Sequence, residues 1–493
     1  MLRYGPWAIA RLIALLGTFT GLASTGIAKV EIDSTFQFPS DPNLLSVNWC
    51  HVLPDGRIIA GGGKAFRLKA NGSLDDSFPI LTIPGDFLRK PVLEPDGGFT
   101  TFGVYADESW QQHAIGRRYT SSGAIDPNFQ PDLGGTVFIS RRDAAGGYLV
   151  SGQFLPGVER SGLVRLNRNG SVDQSFQRLV NFSVSGIDST INGEWIVVGT
   201  TLTPQGFTDS DRVMRLAANG AVLSDQEREA GPSNAATTRS LLRRAARSFI
   251  FCGEGPLLGV LRFDGKLDPS FRHVWGEGPS DPSASAVARV RNGRILTSLQ
   301  APTPYFAHTK EWPLPEGEPS WPGAAVFRTL PDGMIDLSFD FNAATQPAIT
   351  GAYDMAVQPD GRFIVADGAR LHRFKETRSP AVFAFGEKMV NASEADRFAK
   401  CTLYRAGDVS SRGAVTVTTL GPATTARPGL DYLPFHHRIQ FAPGEWKRTI
   451  VLPLRDDIRA DGPKTISVKL SNPDPRSELY SSSSVTIEIA DDE

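Results

Sequence analysis

The stretch GSLDDSF at residues 72–78 recurs as GAIDPNF at 123–129, GSVDQSF at 170–176, GKLDPSF at 265–271 and GMIDLSF at 333–339. Each copy sets an Asp three residues after a turn Gly: Asp75, Asp126, Asp173, Asp268 and Asp336. A sixth copy, VEIDSTF at 30–36, carries Asp33, whereas NGAVLSDQ at 219–226 has Leu223 in the Asp position. A catalytic acid is needed once, in one environment with one displaced pKa. Near-identical copies point to construction instead of chemistry. They do not point to calcium either, because one carboxylate per repeat falls far short of that ion's six to eight oxygen ligands.

Upstream of each copy stands a hairpin pattern centred on a short polar turn, from VLPDGRIIAGG (52–62) through VLEPDGGFTTFG, RRDAAGGYLVSG, TINGEWIVVG, LRRAARSFIFCG and VRNGRILTS to VQPDGRFIVADG (357–368). Turn residues between β-branched and aromatic runs mark hairpins, and there are seven. An alternating strand with an Arg follows each: Arg67, Arg118, Arg165, Arg215, Arg262, Arg328 and Arg373. In five copies the Arg stands five residues before the next turn Gly, so strand, turn and D-x-x-F segment read as a second hairpin. One repeat is then four short strands, the unit of a β-propeller.

The ends of the array complement each other. VEIDSTF has no hairpin before it, and LHRFK (371–375) has no D-x-x-F segment after it. Pairing the two completes a seventh unit and leaves no unpaired edge there. The expectation is a seven-bladed β-propeller over 29–375, closed by the N-terminal strand. Within it each Arg is expected to pair with the Asp of its own blade, worth about 0.2–1 kcal/mol per cross-strand pair, or to contact backbone, and the motif Phe to anchor neighbouring blades. Segments such as QPDGRFIVA and RLKANGSLDDSF resemble the bacterial delta-60 β-propeller repeat, which implies no general activity.

Composition narrows the function. The 493 residues carry a net charge of −2 with no single-sign field, which excludes a nucleic-acid binder. Residues 1–28 read as an export signal: Arg3 and Arg11 flank the start of LIALLGTFTGLA, and Gly26 and Ala28 suit cleavage before Lys29. Cleavage after Ala23 and an uncleaved anchor are the alternatives. The apolar run is short for a spanning helix, so the mature chain is expected to be secreted or held at the cell envelope with no transmembrane span. Cys50, Cys252 and Cys401 are too few and too scattered for a disulfide framework. Cys252, in the apolar run FIFCG, reads as a buried inert thiol.

Metalloprotease, nucleophile-elbow, phosphate-loop and sialidase motifs are absent, and the adjacent His436 and His437 would point to opposite faces of a strand. A non-enzyme is therefore expected, with a propeller enzyme, a glycan hydrolase or lyase, as the alternative. The segment 298–325, rich in Pro, carries Tyr305, Phe306, Trp312 and Trp321, and VYADESWQQHA (104–114) carries Trp110. Aromatics on loops held by a rigid scaffold suit an extracellular protein or polysaccharide ligand. A loop folding its own aromatics over a blade fits the same residues.

After the linker 376–380 the pattern changes to short alternating strands with frequent turns, the pattern of an Ig-like β-sandwich over 381–493. Its T-A-x-x-G-x-D-Y (425–432), F-x-P-G-E (441–445) and terminal D-D-E (491–493) resemble the Calx-beta domain. That resemblance implies calcium held at one end of the sandwich by Glu394, Asp431, Asp456, Asp457, Asp461, Asp491 and Asp492. The sequence departs from the family at Gly462, Pro463 and Lys464, where acids are usual, and Lys464 brings a positive charge toward the ion. The whole reads as an exported, all-β, calcium-dependent binding or adhesion protein; a structural envelope protein is a further reading.

Overall fold

The computed structural model describes residues 28–491, apart from 84–89, 107–111, 154–161, 203–207, 228–237, 278–283, 300–305, 309–325, 342–348, 377–379, 420–423 and scattered single positions or pairs. The signal reading, save its last residue, lies outside these. Short 3-10 turns aside, the described secondary structure is β. No helix among the described residues is long and apolar enough to cross a membrane.

Seven sheets of three to five strands occupy the first 376 residues among those described. The first sheet is Trp49–Val52, Ile58–Gly61, Lys64–Leu68 and Leu81–Thr82. The seventh is built from both ends of the repeat array. Asp354–Val357, Phe363–Ala366 and Leu371–Glu376 come from its end, and Ala28–Ile32 adds beside the last of these, with Val30 opposite Glu376 and Ile32 opposite Phe374.

The D-x-x-F segment departs from the expected full strand. In five repeats it makes one bridge, such as Leu68 with Leu74 or Thr329 with Ile335, and then turns away. The cause is the Asp side chain. Asp75 Oδ1 accepts from the backbone N–H of Ser77 at 3.1 Å and from its hydroxyl at 2.6 Å, a local bond that offers the backbone an alternative to the ladder. Where Leu223 replaces the Asp, the segment runs on as the strand Val222–Glu227, paired along Thr208–Leu216.

Each sheet shares an apolar core with the next. Trp49 and Ile59 meet Phe99 of the second sheet, and Phe102 meets Tyr148 of the third. Leu149 meets Trp195 of the fourth, and Ile196 meets Phe249 of the fifth. Val260 meets Ile295 of the sixth, and Leu296 meets Phe363 of the seventh. The seventh packs in turn on the first, with Ile364 and Leu371 against Cys50 and Phe66.

The two tight turns of a sheet lie side by side at one end of it. Gly56 abuts Ala70 in the first sheet, and Gly293 abuts Pro331 in the sixth. Strand ends such as Leu299 and Val326, which the segment 300–325 joins, are therefore at the other end.

The C-terminal region is a sandwich of two sheets. One holds Ala381–Phe385, Phe398–Ala406, Lys447–Pro453 and Ser477–Leu479; the other holds Met389–Ser393, Gly413–Thr418, His436–Phe441, Lys464–Ser471 and Ser484–Ala490. Phe383, Leu403, Val415, Tyr432, Ile466 and Ile487 belong to the core between them. The sandwich docks on the tight-turn end of the fifth and sixth sheets. Leu330 and Met334 pack on Tyr404 and Trp446, and Asp332 receives the Tyr404 hydroxyl at 2.8 Å and Lys447 Nζ at 3.0 Å. Arg272 pairs with Glu387 at 3.1 Å, and Arg294 donates to the Gly407 carbonyl at 2.8 Å.

Candidate functional site

The repeated acids are spent on structure. Arg67 Nε donates to Asp75 Oδ2 at 2.6 Å, and the corresponding distances are 2.6 Å for Arg118–Asp126, 3.1 Å for Arg165–Asp173, 2.7 Å for Arg328–Asp336 and 2.9 Å for Arg373–Asp33. The guanidinium also covers the motif Phe: Arg67 lies 4.7 Å from the Phe78 ring centre and Arg373 lies 4.9 Å from that of Phe36. A further N–H reaches the neighbouring sheet, from Arg67 to the Ser121 carbonyl at 2.5 Å, from Arg118 to that of Arg168 at 2.6 Å and from Arg373 to that of Ala70 at 2.6 Å. One side chain thus pairs with its own turn, covers its own Phe and holds the next sheet.

The carboxylates respond accordingly. Burial, which acts to raise the pKa of Asp75, is outweighed by the Ser77 hydroxyl, Arg67 and the Ser77 N–H, and the pKa falls to about 2. Asp33, Asp126, Asp173, Asp268 and Asp336 are lowered as well. Groups held ionised in this way are poor general acids.

Two details correct the sequence reading. Arg262 stands three residues before its turn Gly instead of five, and Val260 occupies the Arg place, with its carbonyl accepting from Asp268 N. Arg262 pairs with Asp264, while Asp268 takes Arg244 from the first hairpin of that sheet at 3.7 Å, and Arg244 also covers Phe271. The second missed element is the Ser, Thr or Asn two residues after each Asp, which supplies the turn bond throughout; its recurrence as Thr35, Ser77, Asn128, Ser175, Ser270 and Ser338 was visible in the sequence.

The Phe anchors neighbouring sheets as expected. A Cβ on Gly72 would sit 2.6 Å from the Phe36 ring, and one on Gly220 would sit 2.7 Å from that of Phe176. In the sheet without the Asp, Gln226 stands in the Phe place and donates to the Asp264 carbonyl at 2.5 Å.

First strands carry a second charged set that sequence reasoning passed over. Lys90, just ahead of the second sheet, lies 2.9 Å from Asp354 of the seventh, and Arg141 of the third lies 3.0 Å from Asp188 of the fourth. His51, whose Nε2 lies 2.6 Å from the Pro91 carbonyl, is kept neutral by burial and by nearby Lys90 and Arg141, with a pKa of about 3. These cross-sheet pairs are spaced too far apart in sequence to be read from a motif. All three cysteines are buried and none forms a disulfide, and burial pushes the thiols of Cys50 and Cys401 upward.

Of the expected ligand aromatics, Tyr305, Trp312, Trp321 and Trp110 lie outside the described residues. Phe306 is described through its backbone, in the strand Phe306–His308, which pairs with Val274–Glu277 at the outer edge of the fifth sheet.

In the sandwich, Glu394 and Asp431 come together, but on Lys464. Its Nζ lies 3.1 Å from Glu394 Oε1 and 3.1 Å from Asp431 Oδ1, with all three side chains buried. The other Asp431 oxygen accepts from Arg427 N–H. Burial, which raises the Asp431 pKa, is outweighed by Arg427 and Lys464, so the carboxyl is held below its usual range. Asp491 accepts from Gly462 N–H, Asp457 from Arg459 N–H, and Asp456 is exposed; Asp461 and Asp492 lie outside the described residues. No group of three or more acids, His or Cys among the described residues is placed to hold a metal ion. Among the described members of the expected calcium set, the two buried ones already share an ammonium, Lys464 Nζ.

Residues 376–493 match the Calx-beta domain family. The C-terminal sandwich is a Calx-beta domain. Residues 146–176, within the third sheet, match a family described as a beta-propeller domain of unknown function, DUF5122. No curated protein matches the chain. Similar solved structures include the apo form of the Calx CBD1 domain, 21% identical, covering 23% of this chain and 100% of that one at a TM-score of 0.22. A streptogramin B lyase is 14% identical, covering 71% of this chain and 98% of its own at 0.45. The extracellular domain of a putative hybrid two component system from B. thetaiotaomicron is 8% identical, covering 94% of this chain and 59% of its own at 0.45. Ahead of the Calx-beta domain the fold is propeller-like.

Proposed function

We propose that this chain is a non-catalytic binding or adhesion protein, exported to the cell envelope or the medium, whose seven sheets close into one propeller ring. The ring presents an extracellular protein or polysaccharide ligand on the face turned away from the Calx-beta domain. One observation carries this reading: the sandwich contacts the tight-turn end through Asp332 and Arg294, opposite the end where the long connections leave the strands. Ring closure is supported by the core shared between the seventh and first sheets and by Arg373 reaching Ala70. The absence of chemistry is supported by the commitment of every repeated acid to an Arg or to a turn. The aromatics Tyr305, Phe306, Trp312, Trp321 and Trp110 are the contact residues in this proposal.

The test is a glycan and protein binding screen with the full mature chain, repeated with Trp312→Ala and Trp321→Ala. A hit weakened at least about tenfold by these changes supports the reading, since aromatic anchors carry much of a binding energy. Binding indifferent to both changes removes the aromatic site, and turnover of a bound glycan replaces the reading with the enzyme alternative.

A further inference from the structure

We infer that Lys464 is the resident cation of the acidic end of the Calx-beta domain, so that this end is held together without calcium. The lysine is built inward. It begins the strand Lys464–Ser471, and the residues that share its side of that strand, Ile466, Val468 and Leu470, are core residues with at most 5% exposure. Alternation along a strand therefore points Lys464 into the sandwich. Its ammonium meets one oxygen from each of two separate loops: Glu394, in the turn after Met389–Ser393, and Asp431, in the segment before Tyr432.

Neighbouring strands bring these groups together. Lys464 pairs opposite Ile489, and Ser393 pairs beside Ala490, so Lys464 and Glu394 flank the same strand end. Two carboxylates buried together repel unless a cation joins them, and here a covalently attached cation does so. A divalent ion would need those same oxygens, within 2.6 Å and with at least four more. It would have to displace an ammonium that is tethered to the strand beside those oxygens. Arg427 adds a second positive charge on Asp431, at 3.5 Å, so Glu394 and Asp431 face two cationic side chains.

The test compares thermal unfolding of the full mature chain in EDTA and in millimolar calcium, for the wild type and for Lys464→Gln. The wild type is expected to melt at the same temperature in both. Lys464→Gln is expected to lose on the order of 10 °C in EDTA, since removing one partner strands buried charge, and to regain part of that loss in calcium. If Lys464→Gln does not accumulate folded, refolding with and without calcium decides: rescue by calcium supports the inference and failure of rescue overturns it. A wild-type melting temperature that rises with calcium, and no longer does so in Asp431→Asn, overturns it. So does a Lys464→Gln protein that melts like the wild type in EDTA.

Discussion

The third and fourth sheets receive the chain along the same path and finish it differently. In the third, Asp173 turns the backbone through Ser175, pairs with Arg165 and sends Phe176 onto Gly220 of the next sheet. In the fourth, Leu223 lets the strand continue to Glu227, and Gln226 reaches the next sheet through the Asp264 carbonyl. Ending the strand and reaching the neighbour are thus separate tasks. The Asp performs the first, and whatever stands three residues later performs the second.

The strongest challenge to that division is Asp336→Ala. Its carboxylate is fully buried between Arg328 and Arg294, at 2.7 and 3.5 Å, and removing it leaves Arg328 with Glu376 and Arg294 with the Gly407 carbonyl, at a cost of about 3 kcal/mol. Chemical denaturation measures it; a loss below about 1 kcal/mol would mean the other sheets tolerate Leu as easily as the fourth does. Next is Gly72→Ala, at φ 91° and with the Phe36 ring in the way, expected to cost about 2–3 kcal/mol. Gly361→Ala, at φ 95° with open space around it, isolates the backbone part and should cost about 1 kcal/mol. Equal losses would remove Phe36 from the account.

Acid should distinguish the two sheet types more mildly. The pKa of Asp75 is depressed to about 2, so its contribution is present above the unfolded value of 3.8 and is lost as pH falls from there toward 2. In that window wild type should lose about 2 kcal/mol more than Asp75→Asn, by denaturation at stepped pH. The smallest effect is expected from Leu223→Asp with Gln226→Phe, within about 1 kcal/mol of wild type. Its value lies in hydrogen exchange: amides from Asp225 to Glu227 should lose protection as the strand is cut short. Retained protection would show that the Asp alone does not end a strand.

Much of this was legible in the sequence, because repetition exposes what each position does. The hairpins, the Arg–Asp pairs and the pairing of the N-terminal strand beside Leu371–Glu376 all follow from comparing copies. Arg244 was not legible: it replaces a missing Arg from another strand of the sheet, and local spacing records no such partner. The off-register Arg262 was nevertheless a visible warning. In the Calx-beta domain, family likeness drew attention to the acids, although the alternation of Lys464 with Ile466 and Val468 already aimed the lysine at them. Those acids come from separate loops, so no spacing rule could say which of them meet.

The pairing of Ala28–Ile32 with Leu371–Glu376 also orders events in time. Asp33 and Arg373 are 340 positions apart, so the strand Ala28–Ile32, made early, waits for nearly the last strand of the array. Until then the seventh sheet exposes an open edge, and joining such distant segments is slow. Removing Ala28–Ile32 would reopen that edge.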